Sequence, residues 1–174
     1  AMGLYSGTES ITGAQIPATG TTAVAVRVGL LGLLTAAAAV PTLPRRVRTG
    51  LAATALTLSS LILVFFSGGY IEAHFHFFVV MGVLAMYEDW IPFALGIGYV
   101  ALSHGYFGMV NPARVYNHAA GQANPWIWGG IHAFFVLQLA GALTANWFSI
   151  EQSRAEAAAR HEETTLARRL AALC

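Results

Sequence analysis

The chain is built from long apolar stretches broken by a few charged positions. Windows 28–44, 49–71, 90–113 and 115–150 contain no Asp, Glu, Lys or Arg. About 20 consecutive apolar residues are enough for a helix to cross a bilayer, so this spacing predicts membrane spans. Turn signals divide the windows into five spans. The first runs over 23–43 and is closed by Pro41 and Pro44. The second, 50–66, ends at the "SGG" turn at 67–69. The third, 71–87, ends at "EDW" (88–90), and the fourth covers 91–107. The fifth, 125–148, follows a longer loop at about 108–124 that holds two Asn-Pro pairs, at 111 and 124. "RRVR" at 45–48 reads as a short loop between the first two spans.

Both ends differ from this pattern. Residues 1–22 are polar and glycine-rich, without periodicity, and read as an N-terminal extracytoplasmic segment. From 149 onward, "SIEQSRAEAAARHEETTLARRLAA" is charged, alanine-rich and free of Gly and Pro, a soluble helix by propensity. Glu156 and Arg160 stand in the stabilising i, i+4 order. The apolar stripe of this segment (Ile150, Ala157, Leu166, Leu170) is weak. The expected fold is therefore all-α. A membrane helical bundle of about five transmembrane helices (23–148) leads into a cytoplasmic C-terminal signalling helix (149–174), a linker to an output domain.

Composition agrees with that architecture. Hydrophobic residues make up 56% and charged residues 10%, against roughly a quarter charged in soluble domains. All nine basic residues are arginine, and their only cluster is "RRVR", so nothing points to nucleic acid. The lone cysteine, Cys174, excludes a disulfide framework within one chain and reads as incidental. "AMG" reads as a remnant of cloning at the start of an excised piece, and no cleavable signal peptide is evident. Under the alternating path, 45–48 and the C-terminal helix share one side and carry seven arginines. That side is expected to be cytoplasmic, in a bacterial inner membrane.

The topology has a chemical consequence. His74 and His76 fall near the outer end of the third span, His104 at the outer end of the fourth and His118 in the outer loop. His132 lies about two turns into the fifth span, and Glu72 is at the same level. Ionisable residues inside a membrane are costly and usually functional. Neutral imidazole is the commonest protein ligand for metals. These six residues therefore form a candidate metal site, with Tyr70, Tyr106, Tyr116 and Asn117 as candidates to orient the ligands. Glu72 and His76 share a helix face, whereas His74 points roughly 200° away. A regular helix cannot aim both histidines at one ion. Nitrogen donors without thiolate suit copper or zinc, with iron as an alternative. A bis-histidine haem, using for example His76 and His132, is the rival cofactor. His161, on the charged helix, reads as an ordinary exposed residue.

"SGGYIEAHFHFFVVMGVLAMYEDW", "LSHGYFG", "VYNHAA", "NPWIWGGIHAFFV" and "EQSRAE" together resemble a histidine-rich bacterial membrane sensory module. Such modules stand upstream of diguanylate cyclase, histidine kinase and chemotaxis-receptor output domains. The resemblance covers about residues 25–160 and implies a sensor input domain rather than an enzyme. Position by position it marks Glu72, His74, His76, His104, His118 and His132. That family often has His-His-Gly where this chain has Ser103-His104-Gly105. A sensor of this kind would relay its signal through the last helix and pair with a second copy along it, with the lipid bilayer and a metal ion as its other partners. The competing readings are a membrane metalloenzyme, an oxidase or hydrolase with Glu72 as general base, and a haem protein. A transporter is disfavoured because there is no internal repeat.

Overall fold

A computed structural model describes residues 7–8, 15–16 and 19–172. Cys174 and most of the N-terminal segment lie outside the described residues. The described chain is helical apart from one small antiparallel pairing of Gly7–Thr8 with Gln15–Ile16. Four long helices follow the apolar windows: α1 (Thr21–Ala38), α2 (Arg45–Ser67), α4 (Trp90–Val110) and α7 (Pro125–Ala171). Each has the length and composition to cross a membrane. A shorter apolar helix, α3 (Ile71–Ala85), lies between α2 and α4. Two short helices, α5 (Pro112–Val115) and α6 (Ala119–Ala123), shape the loop before α7.

The connections follow from local chemistry. "RRVR" is not a loop: Arg45–Arg48 form the first turn of α2. Pro44 stands at the N-cap with φ −54°, already close to the helical value, so the helix begins as soon as the chain has turned. At the other end of α2, Gly68 (φ +74°) is a left-handed C-cap, and the Gly69 N–H donates to the Val64 carbonyl at 2.9 Å. Gly69 also has φ +81°, and a Cβ there would lie 2.6 Å from the Tyr116 backbone nitrogen. Only glycine fits, because the loop before α7 crosses at this point, with Asn117 N–H donating to the Gly69 carbonyl at 3.2 Å. Asp89 caps α4 by accepting from Ile91 N–H at 3.0 Å.

α1 packs along α2 through a half-buried stripe that includes Ala23, Leu31 and Leu34, has no fully buried residue, and leaves the apolar side chains of its other faces exposed. α2, α3, α4 and α7 make the core, which has two apolar clusters. One, formed by Ala53, Val80, Met81, Leu84, Phe93 and Ala140, sits toward the α3–α4 turn. The other, formed by Val64, Ala73, Phe77, Val100 and Val136, sits toward the opposite end. At the α3–α4 turn, Trp90 packs on Trp147 with ring centroids 4.9 Å apart. Glu88, held at φ +49°, pairs there with Arg154 of α7. α7 is one continuous 47-residue helix through the composition change at 149, and its Arg160–Glu156 pair is present at 3.5 Å.

Candidate metal centre

The start of α3, the end of α4 and the start of α7 meet at one end of the bundle. Each brings a histidine there. His74 is in the first turn of α3, and His132 is seven residues into α7. His104 sits in a π-helical turn, Ser103–Phe107, inside α4. Such turns shift side-chain direction by a fraction of a turn and are frequent at functional sites.

One ligand nitrogen from each of His74, His104 and His132 lies within 4.8 Å of the other two. The His104 and His132 rings stack with centroids 4.6 Å apart, and His74 lies 5.1 and 5.2 Å from them. All three rings are anchored alike. Nδ1 of His74 is 2.8 Å from the Tyr70 carbonyl, Nδ1 of His104 is 3.0 Å from that of Val100, and Nδ1 of His132 is 2.8 Å from that of Trp128. A carbonyl can only accept, so each Nδ1 carries the proton and each Nε2 keeps its lone pair. Fixing the tautomer through the far nitrogen is how ligating histidines are usually oriented. His74 and His104 are each 4% exposed, and their Nε2 atoms have no hydrogen-bond partner among the described residues. A buried polar atom left in that state costs about 1–3 kcal/mol. A metal ion would satisfy it.

The surroundings are tight and mostly apolar. Phe77 packs against His104 at 5.5 Å. Tyr116, 1% exposed, has its hydroxyl 3.3 Å from both the His104 and Pro125 carbonyls, which tie α4 to the start of α7. Burial pushes the Tyr116 phenol up to about 12. A Cβ at Gly129 would come within 3.3 Å of the His104 carbonyl, so a glycine lets α7 approach the π turn this closely.

The other sequence candidates lie elsewhere. Glu72 is exposed in the first turn of α3, where its charge complements the helix dipole. His76 faces α2, with Nδ1 2.8 Å from the hydroxyl of fully buried Ser60. His118 caps α6 by accepting from Gly121 N–H at 3.0 Å, and its ring lies 4.4 Å from that of Trp128. Tyr70 contributes its carbonyl, Tyr106 is exposed beside Phe107, and Asn117 ties its backbone to Gly69. Two hydroxyls escaped the sequence reading. Ser103 lies 2.9 Å from His104 Nδ1, and Ser60 holds His76. The first was signalled by adjacency in "SHG"; the second had no signal, because it depends on how α2 meets α3.

The chain is 59% identical to Transducer protein Htr8 of Halobacterium salinarum over 164 residues. The match covers 94% of this chain and 26% of that protein, so the chain spans about a quarter of the relative's length. No family model matches the chain. No solved structure matches it either.

Proposed function

From the likeness to a transducer and the geometry of the three histidines, we propose that the chain is the membrane-integral input module of a signal-transduction protein. It works without catalysis of its own. It holds a transition-metal ion through His74, His104 and His132 near the extracytoplasmic face and passes the signal along α7. The observation that carries this reading is the convergence of one ligand nitrogen from each of three histidines within 4.8 Å of one another, two of them with buried, unpartnered Nε2 atoms, on rings whose Nδ1 atoms are all occupied. Three nitrogen donors without thiolate suit copper or zinc, with a fourth position open to water or a signal molecule. The stacked His104–His132 pair favours a compact ion over a haem, because a macrocycle would need the rings further apart.

The ligands sit on α3, α4 and α7, so a change in the ion's charge or ligation acts on the packing between these helices. Coupling requires that the ion prefer one of two arrangements. α7 runs unbroken from His132 to the projecting charged segment and supplies the connection. That segment lies in the cytoplasm in this reading, where pairing with a second copy would place two output domains side by side.

The test is elemental analysis of the purified chain. About one ion per chain is expected, falling at least tenfold in His74→Ala, His104→Ala and His132→Ala. His76→Ala and His118→Ala should keep it. Unchanged metal content in all three triad variants would sink the assignment. A Soret band in the visible spectrum would replace the ion with haem.

A further inference from the structure

The hydroxyl side chains of α2 do not all behave alike. Thr49, Thr54, Thr57, Ser59 and Ser67 each donate to a carbonyl three or four residues back in the same helix, at 2.6 to 3.2 Å. Ser60 differs. Its Oγ lies 2.8 Å from Nδ1 of His76 on α3, and the residue is 0% exposed. Its hydroxyl makes no other hydrogen bond among the described residues. If the imidazole donated, the hydroxyl hydrogen would be buried without an acceptor. Ser60 is therefore the donor, and Nδ1 of His76 accepts.

The histidines show the same contrast. Nδ1 of His74, His104 and His132 turns back to the carbonyl four residues earlier, whereas Nδ1 of His76 leaves its own helix for a neighbour. Among the described residues this is the one hydrogen bond between side chains that joins two of the core helices α2, α3, α4 and α7. In a membrane, apolar packing sets the rotation of a helix loosely, because lipid solvates an apolar face about as well as a neighbouring helix does; a directed hydrogen bond sets it at one angle. The position on α3 gives this bond leverage. Successive residues are about 100° apart, so His76 lies about 200° round the helix from His74. α3 is thus held between Ser60 on one side and the rings of His104 and His132 on the other. Side chains stand about 5–6 Å from a helix axis, so a turn of roughly 30° would move the His74 ring about 3 Å, far more than a set of ligands tolerates.

We propose that Ser60 and His76 are positioning residues for the histidine site: their hydrogen bond fixes the rotation of α3 and keeps His74 turned toward His104 and His132. This role rests on the reading of those three histidines as an ion's ligands; neither Ser60 nor His76 touches the ion.

The test compares Ser60→Ala, His76→Ala and His76→Asn with the parent and with Ser59→Ala, which removes a neighbouring hydroxyl bonded only within α2. Zinc(II) affinity is read by competition with a chromophoric chelator. The rotation of α3 is read, without metal, from the distance between spin labels at Val79→Cys and Leu137→Cys, both exposed positions, in a Cys174→Ser background. Ser60→Ala and His76→Ala should still take up about one zinc per chain when the metal is in excess, but bind it about tenfold more weakly. Their label distance should shift or broaden by about 3 Å. The amide oxygen of His76→Asn can accept from Ser60 in place of Nδ1, so this variant should keep the parent affinity and distance, which replacement of a ligand would not allow. Ser59→Ala should match the parent in both. Parent-like affinity and distance in Ser60→Ala and His76→Ala would overturn the proposal, as would either change without the other. If Ser60→Ala does not fold, the two His76 variants make the same comparison at a half-buried position. A parent that binds no zinc would count against the histidine reading, and the label distance would still decide whether the bond fixes α3.

Discussion

At the scale of single residues, the glycines and one tyrosine decide how the site closes. Gly69→Ala would force a side chain into a left-handed position against the crossing backbone at Tyr116. A cost of about 1–3 kcal/mol is expected, read as a lower thermal midpoint. Tyr116→Phe removes a buried hydroxyl that bridges the His104 and Pro125 carbonyls, and should cost about 1 kcal/mol. It also carries a pH signature. The folded-state phenol is raised to about 12, so its contribution is fully present below the unfolded value near 10 and is lost as pH rises toward 12. Alkaline melting curves should show that loss in the parent and a smaller one in Tyr116→Phe. The histidine level could be read from topology, because alternating spans put His74, His104 and His132 at one end. Which histidines meet could not. His74 and His76 point to opposite sides of α3, and the choice between them rests on which neighbours α3 acquires: α4 and α7 beside His74, Ser60 of α2 beside His76.

At the scale of elements, hydrophobic windows and turn residues located the helices because a charge-free run has few other stable forms in a membrane. The "SGG" turn, the "EDW" connection and the continuation of the last span into the charged helix were all readable in this way. Two features were not. The arginines of "RRVR" looked like loop, but Pro44 starts the helix before them. The π turn at Ser103–Phe107 leaves no compositional trace, since it depends on how α4 fits against α7 and Tyr116. The Glu88–Arg154 pair is a further contact that the sequence does not announce, joining positions 66 residues apart. Exposed pairs contribute about 0–1 kcal/mol, so Glu88→Gln should barely move the thermal midpoint. It should nevertheless broaden the distance between spin labels on the α3–α4 turn and on α7, because the turn loses its tie to that helix. An unchanged distribution would show that the Trp90–Trp147 contact alone holds the two together.

At the scale of the whole molecule, arginine content divides the bundle into two unequal ends, and the histidine site lies at the poorer one. If that end faces outward, a membrane-impermeant maleimide added to intact cells should label Ala113→Cys but not Ala158→Cys, both in a Cys174→Ser background. Labelling of position 158 alone would invert the topology and put the three histidines on the cytoplasmic side. Apolar side chains exposed on α1 and on the membrane half of α7, such as Leu33, Phe134 and Leu137, are consistent with a bundle solvated by lipid.

The length of α7 sets a mechanical ratio. From His132 to Ala171 the helix runs 39 residues, roughly 58 Å at 1.5 Å per residue. If it pivots as a stiff rod near His132, a tilt of only 1° carries its far end through about 1 Å. The Glu88–Arg154 tie lies partway along this length and holds α7 against such a tilt.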